Sequence, residues 1–127
     1  MNMQTATIET PGPVVIPESI DECFEMLGHH NLVGLDDFAR EAGFEETVLI
    51  TQEALKQMVG ETVFDGQPEL LIPAVVQSLR DMRAILQQIA GQLTPLLLKI
   101  AVDGELVDIL VRQNPFARPP YTLVTQQ

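Results

Sequence analysis

The chain has 127 residues and a formal net charge of −11, with 46% apolar residues, five Phe, one Tyr, no Trp and one cysteine. That length suits one domain, and that apolar fraction excludes a disordered chain while requiring a core of Leu, Ile, Val and Met. The acidity argues against direct binding of nucleic acid, and a lone Cys23 excludes an intrachain disulfide or a thiolate metal cluster, which fits a reducing, cytoplasmic setting.

The charge is unevenly spread. Residues 1–69 hold fourteen acids against Arg40 and Lys56, a net of −12, whereas residues 70–127 hold four acids against five bases. An acidic half suits solubility or a basic partner. Met1 to Ile16 has neither a basic start nor a long apolar run, so it does not read as a signal peptide, and no apolar stretch is long enough for a membrane span.

In chain order, residues 1–17, with Pro11, Pro13 and Pro17, predict a flexible arm with a short edge strand at Val14 to Ile16. Ser19-Ile20-Asp21-Glu22 matches a capping box, followed by Ile20, Phe24 and Leu27 on one helical face and a stop at Gly28. A second short helix is expected from Asp36 as cap to Gly43. The β-branched run Thr47 to Ile50 predicts a strand, and Thr51 caps a third helix carrying Leu55, Met58 and Val59 as far as Gly60. Phe64-Asp65-Gly66-Gln67 reads as a turn.

The strongest helical signal runs from Pro73 to about Ala90, where Val75, Leu79, Met82, Leu86, Ile89 and Leu93 step by four and three; Pro73 fits a first turn. Such a stripe packs within the molecule or, alternatively, forms a homodimer seam. Leu96 to Val102 and Glu105 to Arg112 flank Asp103-Gly104, a two-residue loop that favours a type I′ hairpin. That turn sets Ile100 opposite Val107, Leu98 opposite Ile109 and Leu96 opposite Val111 on one apolar face. Lys99 then meets Asp108 on the other, beside the pairs Ala101–Leu106 and Leu97–Leu110. Residues 113–127, with Pro115, Pro119 and Pro120, predict an extended tail beyond a single domain at 18–112. The expected fold is α+β: short N-terminal helices and one long amphipathic helix (about 73–90) on a small antiparallel sheet that includes the C-terminal hairpin (96–102, 105–112).

No phosphate-binding Gly-rich loop, nucleophile elbow or zinc-spaced Cys/His cluster is present, so no catalytic, cofactor or metal residues are expected. His29-His30 is the one histidine pair; adjacent residues point apart, and a helix-end role near the dipole explains them better than a metal site with Glu25. Asp36-Asp37 reads as a helix start, and Cys23 as a buried structural thiol.

Arg40-Glu41-Ala42-Gly43-Phe44, a short strand, the helix starting at Thr51, the Asp81-Met82 helix, the Leu98-Lys99 strand and the Ile109/Val111 strand resemble, over about residues 32–112, an uncharacterised domain family. That family is common on plasmids and phages, often near anti-restriction genes. The resemblance implies an accessory protein of a mobile element and carries over no catalytic residues.

The expectation is therefore a non-enzymatic protein-interaction or accessory protein that meets a basic partner through its acidic half, with Glu45, Glu46 and Glu53 as candidate contact residues. Two alternatives stand beside it: an acidic inhibitor that mimics nucleic acid against a basic host protein, and a small enzyme or ligand-binding domain near His29, His30 and Asp36.

Overall fold

A computed structural model of the protein describes residues 7–9, 14–28, 31–89, 93–102 and 104–126. Its elements are β1 (Thr7–Glu9), α1 (Ile20–Leu27), β2 (Leu32–Gly34), α2 (Asp36–Glu41), β3 (Thr47–Thr51) and α3 (Gln52–Val59). They continue with α4 (Glu61–Gly66), α5 (Pro68–Leu86), a 3-10 turn (Gln87–Ile89), β4 (Thr94–Val102), β5 (Glu105–Asn114) and β6 (Tyr121–Gln126). The fold is α+β: six strands in the order β1-β4-β5-β6-β3-β2, with helices on both faces.

The hairpin has the register that its turn chemistry demands. Val102 faces Glu105, Ile100 faces Val107, Leu98 faces Ile109 and Leu96 faces Val111; Lys99 faces Asp108 and pairs with it at 3.6 Å. Asp103 lies outside the described residues, but Gly104 has φ +81°, the left-handed backbone that such a turn needs. The predicted apolar face packs into the main core with Val48, Ile50 and Val124, beneath α2, α3, α4 and α5. On the opposite side of the sheet, α1 presses Ile20, Cys23, Phe24 and Leu27 onto Leu32, Leu49, Tyr121 and Leu123. Beyond α1 the second face of the hairpin is less covered, and Leu106 is 71% exposed.

Several local signals resolve as expected. Ser19 Oγ accepts from Glu22 N at 3.2 Å, while the Glu22 carboxylate accepts from Glu18 N at 3.0 Å, one residue earlier than a strict capping box. Thr51 caps α3 by accepting from Ala54 N, and Gly28 and Gly60 end α1 and α3 with positive φ.

The structure corrects five other expectations. Val14 to Ile16 form no strand; the N-terminal edge strand is Thr7–Glu9, paired with Leu97–Lys99 of β4. Asp36 makes no capping bond: Leu35, whose N–H still bonds Val48 and whose side chain is buried, holds the cap position, so Asp36 and Asp37 fall in the first turn, where the dipole favours them. Phe64 to Gly66 belong to a short helix, because Val63 and Phe64 pack against the main core and Gly66 adopts no positive φ. The long helix begins at Pro68, which takes the first-turn position, and Pro73 lies inside it. Pro73 is exposed, so the Glu69 carbonyl it leaves without a partner can turn to water. Val75, Leu79, Met82 and Leu86 are buried as their spacing predicts, whereas Leu93 lies beyond the helix and is 51% exposed.

The fifth correction is the largest. The segment read as a tail is extended, but Tyr121–Gln126 is an inner strand, antiparallel to β5 and parallel to β3, and its residues from Tyr121 to Thr125 are buried. The sheet is consequently mixed, not antiparallel. No helix among the described residues is long and apolar enough to cross a membrane.

Candidate functional site

The three glutamates singled out in the sequence do not converge. Glu45 and Glu46 precede β3 and Glu53 follows it, so they sit at opposite ends of a five-residue strand. Each end has its own concavity.

At the entry of β3, Glu46 turns inward. Its Oε2 accepts from Thr122 Oγ1 at 2.7 Å and from Gln113 Nε2 at 3.2 Å, which stitches the approach to β3 across β6 to β5. Gln113 Oε1 is buried and accepts no hydrogen bond among the described residues. A pocket of about 130 Å³ opens beside this cluster, between Phe44, Leu86, Arg83 and Gln87. Arg83 is held in place from two sides. It lies 3.1 Å from where a Cβ on Gly43 would sit, with Gly43 at φ +103°. It also donates to the Gln87 side-chain oxygen at 2.7 and 3.3 Å in the amide orientation that satisfies both groups. A neighbouring notch of about 60 Å³ brings Asp36 and Arg40 to Glu45 and Glu46.

At the exit of β3, a groove of about 420 Å³ lies between α3, the start of α4 and the hairpin tip. Glu53, Glu61 and Glu105 line it over Val102 and Val107. Lys56 reaches Glu61 at 3.4 Å and Asp65 at 3.7 Å, and Asp65, then Glu61, raise its pKa. An exposed pair of this kind contributes little to stability.

The third cluster lies under α1 and is the most buried. Tyr121 OH donates to the Pro17 carbonyl, which also accepts from Asn114 Nδ2 at 2.9 Å. Asn114 Oδ1 accepts from the N–H groups of Phe116 and Ala117. Arg112 donates to the Val15 carbonyl at 2.9 Å and to Thr125 Oγ1 at 3.2 Å. Burial pushes the Cys23 thiol up and the Tyr121 phenol, its hydrogen-bond partner, well above its ordinary range; it also lowers the Arg112 guanidinium. A thiol so held is a poor nucleophile. The cluster fastens residues 15–17 and the 115–120 connection to the sheet.

His29 and His30 lie outside the described residues. Asp36 is exposed and shares the small notch with Arg40, Glu45 and Glu46. Among the described residues no group of three or more His, Cys, Asp or Glu is placed to hold a metal ion. Sequence reasoning missed Gln113, Thr122, Asn114, Arg112 and Tyr121. The β-branched and aromatic run from Tyr121 to Thr125 carried a strand signal, but nothing local marked which strands it would join.

The acids of α1 and α2 lie on the surface. The ion pairs formed between described residues involve Lys56 and Lys99, and none reaches α1 or α2. Asp21, Glu22 and Glu25 on α1 and Asp36, Asp37 and Glu41 on α2 are exposed. The chain matches no protein-family model, no curated protein and no solved structure.

Proposed function

We propose that this chain is a non-enzymatic accessory protein that binds a basic protein partner through the acidic surface of its first half. One observation carries the reading: the exposed carboxylates of α1 and α2 have no cationic partner among the described residues. Such a field lowers the energy of an approaching basic surface and speeds its association. The plasmid and phage resemblance of residues 32–112 suggests an accessory of a mobile element acting in the cytoplasm, with a host or element-encoded protein as partner.

Of the three candidate contacts, Glu45 and Glu53 are exposed and free to meet a partner, whereas Glu46 holds Thr122 and Gln113. A Glu46 variant therefore mixes surface charge with sheet stability. The test is affinity capture from the native host with the unmodified chain and with a variant carrying Asp21→Asn, Glu25→Gln, Asp36→Asn, Asp37→Asn, Glu45→Gln and Glu53→Gln. The unmodified chain is expected to retain a basic protein that elutes with salt and that the variant fails to hold. Equal retention of the same protein by both overturns the proposal.

A further inference from the structure

Strand β2 is an outer strand of the sheet, and its pairing with β3 determines which of its main-chain groups are used. The register sets Leu32 opposite Thr51, Val33 opposite Ile50 and Gly34 opposite Leu49, and Leu35 N donates to Val48 O at 3.0 Å. In an antiparallel pair, doubly bonded and non-bonded residue pairs alternate. Leu35–Val48 and Val33–Ile50 are thus the bonded pairs, and the main-chain groups of Leu32 and Gly34 point away from β3. The far side of β3 agrees: Thr47, two residues from Leu49 and so in phase with it, donates its N–H to Pro120 O toward β6. Among the described residues no further strand pairs with the outer row of β2.

Apart from its length of three residues, itself a guard against pairing, this edge lacks the usual ones. It carries no proline, lysine or inward charge, and Val33 and Gly34 are exposed, Val33 by 39%. What borders it is negative charge. Helix α1 packs on one face of β2 through Leu32 and bears Asp21, Glu22 and Glu25; α2 starts two residues after Gly34 with Asp36 and Asp37. A second copy would bring the same carboxylates against one another, so charge disfavours self-pairing. At the opposite edge of the sheet, among the described residues, β1 pairs with β4 at Leu97–Lys99, and Lys99 meets Asp108.

We infer that the β2 edge receives an extended basic segment of the partner as an added strand, its main chain bonding Gly34 and Leu32 and its lysines or arginines meeting the carboxylates of α1 and α2. The inference rests on the basic-partner reading and adds the mode of binding.

The probe is a fluorescein-labelled eight-residue peptide of alternating lysine and valine, titrated against the full chain, beside the same peptide N-methylated at alternate residues. In the protein, Gly34→Pro removes the outward N–H but no bond to β3, and Gly34→Ala retains it; a Cβ at Gly34 meets only Leu49 Cδ2, at 3.9 Å. Binding is expected to fall about tenfold or more on N-methylation and with Gly34→Pro, and to survive Gly34→Ala. Should Gly34→Pro fail to fold, the N-methylated peptide decides the matter on the unmodified chain. Binding that ignores N-methylation but falls with salt and with Asp36→Asn/Asp37→Asn overturns the added strand and leaves the charged surface standing. Failure of the unmethylated peptide to bind overturns the added strand, and the capture experiment then judges the basic partner by itself.

Discussion

Asn114 satisfies main-chain groups from two segments at once, one of them 97 residues away in the chain. Its amide nitrogen serves the Pro17 carbonyl and its amide oxygen serves two N–H groups of the connection to β6. Asn114→Ala takes the acceptor from the N–H groups of Phe116 and Ala117 and leaves the Pro17 carbonyl with Tyr121 alone, and it is expected to cost about 2 kcal/mol, read as a lower urea midpoint at unchanged slope. Asn114→Asp keeps the two acceptor bonds but sets a buried carboxylate oxygen against the Pro17 carbonyl, so it is not expected to rescue the loss. Tyr121 is the sole Tyr in a chain without Trp, so its fluorescence reports this site directly. Its phenol and the Cys23 thiol are both raised on folding, so the native state holds protons that the unfolded state releases in alkali. By linkage their contribution is complete below the unfolded values and is lost as pH rises. Thermal unfolding followed between pH 7 and 11 is expected to show a midpoint that falls above about pH 9.

At the scale of elements, α5 carries the largest internal conflict. Pro73 removes one helical bond and crowds the Glu69 carbonyl, a conflict worth about 3 kcal/mol in an isolated helix. Burial of Val75, Val76, Leu79, Met82, Ile85 and Leu86 holds the helix together regardless. Pro73→Ala is exposed and restores the bond, so it is expected to stabilise the protein by about 1–2 kcal/mol in the same urea assay. The hairpin shows the reverse case, in which every level agrees. Gly104 meets nothing that a Cβ would strike, so Gly104→Ala tests backbone strain alone and is expected to cost about 1 kcal/mol. The Lys99–Asp108 pair on the same hairpin is half-exposed, and breaking it is expected to matter far less.

Across the whole molecule, the two ends of the chain complete the sheet. β1 lies outside β4, residues 14–17 reach Arg112, Asn114 and Tyr121 on β5 and β6, α1 covers β3 and β6, and β2 closes the far side, so the described segments between Thr7 and Gly34 span the sheet. Strand β6 joins the β4–β5 hairpin to β3, and Thr51 Oγ1 donates to Gln126 Oε1 at 2.5 Å, tying the end of β6 to the cap of α3. Truncation after Asn114 leaves the two parts of the sheet without their shared strand and is expected to abolish cooperative unfolding by calorimetry. The net charge of −11 and the few ion pairs among described residues put self-repulsion on the folded state, so raising sodium chloride from 10 mM to about 150 mM is expected to raise the melting temperature.

Features that depend on neighbours in the chain are legible in the residues alone. The hairpin register follows from a two-residue turn and side-chain parity, the caps at Ser19 and Thr51 from a hydroxyl before a helix, and the buried row of α5 from its 4-3-4 spacing. The acidic half was equally plain, since charge needs no fold to be counted. The entry of Tyr121–Gln126 between β5 and β3 emerges from the folded sheet, because parallel pairing across more than seventy residues has no turn to announce it. That sheet also separates Glu46 from Glu45 and Glu53. A carboxylate becomes a structural acceptor or a surface charge according to which donors are brought to it, and Thr122 and Gln113 arrive only when the last strand is in place.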